Sequence, residues 1–107
     1  MSATRLEKPP ATASKSPRLT RARRTAILKA LADPRRFELL EHIAKASCPL
    51  GCSQALSSMG ISAATLSHHI KELETAGLIS IEREGKFANI ALRRDIWQAF
   101  LADLQRL

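Results

Sequence analysis

The sequence predicts a mainly α-helical domain with one β-hairpin, and two observations support this fold class. Apolar residues recur at helical spacing in several short segments, each bounded by capping residues, Gly or Pro. Nearer the C-terminus the pattern changes to alternation in residues 78–83 and 87–92, on either side of the turn Glu84-Gly85-Lys86. The chain has 107 residues, 45% of them hydrophobic, which suffices for one domain with its own core.

Two helices are predicted in the first half of the chain. The first begins near Thr20 and ends at Asp33-Pro34, with Ala26, Ile27, Ala30 and Leu31 at helical spacing. Asp33 is a suitable N-cap and Pro34 suits the first position of the second helix. The expected buried face of the second helix consists of Phe37, Leu40, Ile43 and Ala44, and the helix ends at residues 48–51.

Three further helices follow. A short third helix is predicted over residues 52–58, and Gly60 closes it. Ser62 caps the fourth helix, whose buried stripe is Leu66, Ile70 and Leu73. A fifth helix, over residues 94–107, carries an unusually wide apolar face of Ile96, Trp97, Phe100, Leu101, Leu104 and Leu107.

The order of these elements predicts a winged helix-turn-helix, in which the second of two helices joined by a tight turn enters the major groove of DNA. Small polar side chains suit this role because they form hydrogen bonds to bases or phosphates. On the fourth helix the candidate DNA-binding residues are Ser62, Ala63, Thr65, Ser67, His68 and Lys71, and on the hairpin they are Arg83 and Lys86. Lys71, Arg83 and Lys86 can equally be solvated surface charges, and His69, beside the apolar stripe, favours packing.

The charge is strongly asymmetric. The net charge is +7, and seven of the 17 basic residues but one of the 10 acidic residues lie in the first 24 positions. Residues 1–18 are rich in Ser, Thr, Pro and Lys and are predicted to be a disordered basic tail, with the folded domain at 19–107. Such a tail adds non-specific, salt-sensitive affinity for DNA, or serves only solubility.

Three segments in this order resemble the ArsR/SmtB family of bacterial repressors: LADPRRFELL at 31–40, SHHIKELETAGLI at 67–79 and REGK at 83–86. The resemblance covers about residues 25–107. It implies a homodimer, joined by the first and last helices, that binds an imperfect palindrome in promoter DNA. The implied interface residues are Ile27, Ile96, Trp97, Phe100, Leu101 and Leu104.

The chain departs from the family at one reading position. The family uses positions that match Ser67 and His68, together with one that matches Ala63 and is commonly Gln. Readout of adenine through that amide is therefore lost. We expect a different operator preference, for which Thr65 or Ser62 could compensate.

The metal sites of the family are not reproduced. A Cys-x-Cys pair would fall at Gly51 and Ser53, whereas the cysteine present is Cys52, and no His follows Asp95 on the last helix. We therefore predict no metal site and no cofactor. Cys48 and Cys52 are either ordinary buried thiols or a thiol sensor that closes a disulfide or holds As(III) or Cu(I).

The sequence thus predicts a dimeric DNA-binding repressor with an unknown inducer. The alternatives are a thiol-redox or metalloid-responsive repressor using Cys48 and Cys52, and a winged helix used for protein contacts. An enzyme is disfavoured because no set of nucleophile, base and orienting group is present. No apolar segment is long enough to span a membrane and no secretory signal is evident, so we expect a cytoplasmic protein.

Overall fold

The computed structural model describes residues 18–46 and 49–107, which form five helices and three strands. The order of helices and strands confirms the predicted fold class, with the hairpin placed between the last two helices. The helices are α1 (Arg21–Leu31), α2 (Pro34–Lys45), α3 (Cys52–Met59), α4 (Ala63–Thr75) and α5 (Arg94–Gln105), and the strands are β1 (Leu50–Gly51), β2 (Ile79–Glu84) and β3 (Phe87–Leu92). The predicted basic tail lies outside the described residues, apart from Arg18.

Side-chain caps start three of the helices where the sequence predicts. Thr20, Asp33 and Ser62 each accept a hydrogen bond from a backbone N–H two or three residues further on, at 2.9 to 3.3 Å. These bonds satisfy N–H groups that have no partner within the helix. Gly60 ends α3 in the left-handed conformation, at φ 64°, and its N–H bonds to the carbonyl of Leu56. The short connection from Gly60 to Ser62 therefore forms the tight turn between α3 and α4.

The sheet contains a strand that the sequence does not predict. Strands β2 and β3 form the predicted antiparallel hairpin, from the pair Ile79–Leu92 to the pair Glu84–Phe87. Strand β1 pairs with the other edge of β3, Leu50 opposite Ile90, so the order is β1-β3-β2. A strand of two residues is too short to show alternation, which is why only tertiary pairing reveals it. It ties the start of α3 to the base of the hairpin.

One core joins all five helices and the base of the hairpin, and it corrects the prediction for α2. Phe37 was expected inside, but 40% of it is exposed, and Ala44 is only half-buried. Leu39 takes the interior position instead and is fully buried. The buried face of α2 is thus rotated by about one residue from the predicted face. Among the described residues, the largest fully buried side chains are Ile27, Leu39, Leu73, Leu78 and Ile90.

Some of the predicted interface residues are buried in the structure, and others are exposed. Ile27, Ile96 and Phe100 are buried in the core of the protomer, so they offer no surface to a partner. The apolar face of α5 is wide because one side of it covers this core. Trp97 and Leu101 are half-buried, and Leu104 is 42% exposed. Among the predicted residues, surface for a partner therefore remains at Trp97, Leu101 and Leu104.

Candidate nucleic-acid interface

Helix α4 is fixed to the core along one stripe. Leu66, Ile70 and Leu73 are buried on it, as predicted, and Ala76 and Leu78 continue the buried surface beyond its end. The N–H of Leu78 bonds to the carbonyl of Leu73 at 3.0 Å, which closes the helix. Because one face is held inside, the opposite face is held towards solvent in a defined orientation.

All six of the residues predicted to touch DNA from this helix and its cap are exposed. They are Ser62, Ala63, Thr65, Ser67, His68 and Lys71. Two of them also serve the cap: the Ser62 hydroxyl donates to Thr65 Oγ1 at 2.9 Å and accepts from the Thr65 backbone N–H at 3.1 Å. The hydroxyl proton of Ser62 is engaged in this contact, whereas that of Thr65 is free. Thr65 is therefore a better hydrogen-bond donor to a base than Ser62.

A groove of about 440 Å³ separates α4 from the hairpin. Ser67, Lys71 and Glu74, spaced at one-turn intervals, line its helix side, and Arg83 lines its hairpin side. The groove is therefore lined by one cation from α4 and one from the hairpin. Glu74 makes one end of the groove less attractive to a phosphate.

The hairpin ends in an exposed tip. Gly85 and Lys86 form the two-residue turn, and Lys86 is exposed, as is Arg83 on β2. Phe87, next to Lys86, has 69% of its surface in solvent. The two predicted cations of the hairpin are thus available to a polyanion, and an aromatic ring that the sequence analysis did not single out lies beside them.

Three arginines donate hydrogen bonds that hold α4 and the turn before it in place, although Arg35 is itself exposed. Arg35 Nη2 donates to the carbonyl of Met59 at 2.6 Å, directly before the turn. Arg23 Nη1 donates to the carbonyl of Ala76 at 3.1 Å, at the C-terminal end of α4, where a positive charge is favourable. Arg36 donates to the Ala30 carbonyl and to His69. Sequence reasoning missed all three, although the spacing of 36 with 40 and 43 on α2 indicates an inward position for Arg36.

The prediction that His69 packs inside is confirmed, since it is 5% exposed. Burial lowers the pKa of its imidazole below the usual 6.5, and the charge of Arg36 lowers it further, while Asp33 acts in the opposite direction. The two consecutive histidines of α4 therefore differ in environment. His68 faces solvent, and His69 faces α2.

Of the two cysteines considered as a thiol sensor, the structure describes only Cys52. Cys48 lies outside the described residues, and Cys52 is a half-buried free thiol at the start of α3. Asp95 pairs with Arg93 at 2.8 Å, and this hydrogen-bonded partner lowers the pKa of Asp95. Asp103 pairs with Arg24 and Arg106. Within 18–46 and 49–107, no three His, Cys, Asp or Glu side chains are grouped to hold a metal, and no helix is long and apolar enough to cross a membrane.

The family model described as "Helix-turn-helix domain" matches residues 31–82, from the end of α1 to the middle of β2. This segment contains the caps of α2 and α4, the turn between α3 and α4, and the exposed face of α4. A comparison with curated proteins gave no significant match.

Solved structures share the fold over most of the chain. An ArsR-family transcriptional regulator superimposes with a TM-score of 0.72 at 23% identity, covering 84% of this chain and 91% of its own. An ArsR-like regulator from Rhodococcus sp. RHA1 gives 0.71 at 20% identity, covering 79% and 78%. The homodimeric winged helix-turn-helix DNA-binding domain of Mb0332 from Mycobacterium bovis, a possible ArsR-family regulator, gives 0.66 at 23% identity, covering 78% and 76%.

The matched domain model and the shared architecture agree with the geometry of α4 and the hairpin. The interior holds the helix by its apolar stripe and by arginines, and leaves a small polar face free beside a hairpin that carries the exposed cations Arg83 and Lys86. The chain therefore contains a helix-turn-helix domain and has the winged helix-turn-helix fold of the ArsR-family regulators to which it is similar.

Proposed function

We propose that the protein is a homodimeric repressor that binds an inverted repeat in promoter DNA, with one α4 helix in each of two successive major grooves. The observation that carries this proposal is that one face of α4 is buried in the core and the opposite face is exposed to solvent, here called the free face. Ser67 and His68 lie at the centre of the free face and are the proposed base readers. Lys71, Arg83 and Lys86 are the proposed phosphate contacts.

The dimer is proposed to form through α1 and α5. Arg24 of α1 pairs with Asp103 of α5 at 3.4 Å, so the two helices lie side by side. Leu28, one turn after Arg24, is 51% exposed, and Leu104 follows Asp103 directly. These leucines form the outward apolar surface that a partner protomer would cover. The M. bovis domain of the same fold is homodimeric, which supports dimerisation.

The test is selection of binding sites from a random pool of duplex DNA, followed by measurement of stoichiometry. The proposal predicts an inverted repeat whose half-sites are centred about 34 Å apart, or a multiple of that, because the two recognition helices are related by a twofold axis. It also predicts two protomers per duplex. Recovery of single half-sites bound by one protomer would refute the dimeric arrangement, and recovery of no preferred sequence would refute sequence-specific binding.

The thiol-responsive alternative is supported by one observation. Cys52 lines the groove between α4 and the hairpin, together with Lys71 and Arg83, so a group added to its sulfur would enter the proposed path of a phosphate. Treatment with a thiol-alkylating reagent should then weaken DNA binding in the wild type and in Cys48→Ser, but not in Cys52→Ser. Equal binding before and after alkylation in the wild type would rule this alternative out.

A further inference from the structure

A buried contact joins α4 to α2 behind the face proposed to read DNA. Arg36 Nε donates to His69 Nδ1 at 3.3 Å, and both side chains are buried, at 8% and 5% exposure. Arg36 Nη1 also donates to the carbonyl of Ala30 at 3.2 Å, at the end of α1. One guanidinium therefore connects α1, α2 and α4 at a point one residue away from His68.

The hydrogen bond works with only one protonation state of His69. A guanidinium has N–H donors and no acceptor, so Nδ1 must carry a lone pair and the ring must be neutral with its proton on Nε2. Protonation of Nδ1 would place two donors and two positive charges against each other inside the protein. The contact would then break, and Arg36 would lose one of its buried partners.

The surrounding charges do not offset a second cation at this point. The titratable and charged groups that act on His69 are Arg36 and Arg35 from α2, Asp33 at the N-cap of α2, and His68 from α4. Asp33 is the one anion among them, and it is already engaged: it accepts from the backbone N–H groups of Arg35 and Arg36 and lies 3.7 Å from Arg36 Nη2. Its carboxylate is thus shared before His69 takes up a proton.

We propose that the Arg36–His69 contact is a positioning device that holds α4 in its DNA-binding orientation while His69 is neutral and releases it when His69 is protonated. The proposal rests on the DNA-binding function proposed above. It makes DNA affinity decrease on acidification, through a residue that does not touch DNA. His69 and Arg36 act through His68 and Ser67, whose placement depends on the orientation of the helix.

The neighbouring histidine predicts the opposite effect, which gives the experiment its control. His68 is exposed on the face proposed to read bases, so a positive charge at this position would be attracted to the polyanionic DNA and would strengthen binding. His69 is buried behind that face, so a proton on it weakens binding. The wild type is expected to show the sum of the two effects, and single replacements separate them.

The variants are His68→Asn and His69→Asn. Asparagine at position 69 offers Oδ1 as an acceptor in place of Nδ1 and does not titrate, so it keeps the contact at every pH. The dissociation constant for one 30-base-pair duplex, carrying the site selected from the random pool, is measured between pH 5.5 and 7.5 at constant ionic strength. Circular dichroism at each pH gives the folded fraction, to which the binding data are referred.

We expect the dissociation constant of His68→Asn to rise at least about threefold from pH 7.5 to 5.5, and by at most about tenfold per pH unit for each protomer, since one proton is involved. His69→Asn should bind at pH 7.5 within about threefold of the wild type, and it should not weaken on acidification. The proposal would be overturned if the DNA affinity of His69→Asn fell on acidification as steeply as that of His68→Asn.

Nuclear magnetic resonance of the wild type tests the same point without any variant. The ring nitrogen shifts of His69 should show the Nε2–H form in the neutral state, with a proton uptake below pH 6.5. The Nδ1–H form, or proton uptake at or above pH 6.5, would overturn the proposal as well. If the wild type binds no duplex specifically at any pH, the DNA-binding proposal itself fails. If the wild type binds DNA specifically and His69→Asn shows the same dependence of affinity on pH as the wild type, only the positioning role of His69 fails.

Discussion

The guanidinium of Arg23 occupies the space in which a β-carbon at Gly77 would lie. A Cβ built on Gly77 would be 1.6 Å from Arg23 Nη1, and the backbone of Gly77 has φ 84°, where side chains are disfavoured. The same guanidinium donates to the carbonyl of Ala76. The glycine after the recognition helix is therefore needed for its conformation and also for the room that it leaves to a capping arginine from α1.

Replacing Gly77 by alanine should lower the free energy of unfolding by about 2 kcal/mol or more, from the left-handed backbone and from the lost arginine hydrogen bond. Gly60→Ala is the matched control, because Gly60 is also left-handed but no atom lies within 4 Å of its added Cβ. It should lose only about 1 kcal/mol. Urea unfolding measures both, and the loss for Gly77→Ala should shrink in an Arg23→Ala background. Equal losses for the two glycines would contradict the steric account.

Stability should depend on pH through His69. Its pKa is below 6.5 in the folded state, so below pH 6.5 the unfolded chain takes up a proton that the folded chain does not. The free energy of unfolding should therefore fall as the pH drops through 6.5, and this loss should stop growing below the depressed pKa. Urea unfolding between pH 5 and 8 measures it. His69→Asn should remove this step and His68→Asn should retain it; a step that survives in His69→Asn must come from another group.

A separate acid transition should arise from Asp33. The backbone N–H of Arg36 lowers the pKa of this carboxyl below 3.8, although burial opposes the shift. Its contribution to stability is then present above pH 3.8 and is lost as the pH falls through the lower, folded-state pKa. Asp33→Asn keeps a capping oxygen without the charge, so its unfolding free energy should change less with pH below 3.8 than that of the wild type. Identical slopes would contradict the shift.

The basic groove predicts a distinct salt dependence for Lys71 and Arg83. Replacing either by alanine should reduce the slope of log affinity against log salt by about 0.9 for each lost phosphate contact, hence by about 1.8 per dimer. Sequence preference should be kept. Lys29→Ala, exposed on α1 outside this groove, is the control and should keep the full slope. Fluorescence anisotropy at salt concentrations from about 50 to about 200 mM gives the values. An unchanged slope for Lys71→Ala would show that this lysine is only a surface charge.

The proposed dimer is tested by a charge at Leu104. Leu104→Glu should weaken association by about 3 kcal/mol or more, because a carboxylate would be buried without a partner. Phe87→Glu is the control, since Phe87 is exposed at the hairpin tip and away from α1 and α5. Sedimentation equilibrium should show a dimer for the wild type and for Phe87→Glu, and a monomer for Leu104→Glu. A dimeric Leu104→Glu would move the interface elsewhere.

Local signals made the helices and the turn predictable. Capping at Asp33 and Ser62, and the left-handed glycines at 60 and 77, depend on residues close in sequence, so the pattern alone reveals them. The exposure of the predicted reading face follows from the same periodicity. The pairing of β1 with β3 depends on contact between distant segments, and two residues carry no period.

Arginines that bind backbone carbonyls were the main omission at the site. A sequence shows Arg23, Arg35 and Arg36 as charges, and charges are assigned to the surface by default. Whether a guanidinium caps a carbonyl or faces solvent depends on what lies opposite it in the fold, such as Ala76 for Arg23. The same reason explains why some predicted interface residues are buried in the core. The sequence shows the apolar face of α5, but not which part of that face covers the core of its own protomer.

Base reading by the exposed face of α4 can be examined by loss-of-contact analysis of His68. The affinity of the wild type and of His68→Ala is measured for the selected duplex and for each single base-pair substitution of one half-site. We predict that His68→Ala no longer distinguishes one or two adjacent base pairs, each worth about 1 to 3 kcal/mol in the wild type, and still distinguishes the others. Identical affinity and an identical substitution profile for the two proteins would contradict it.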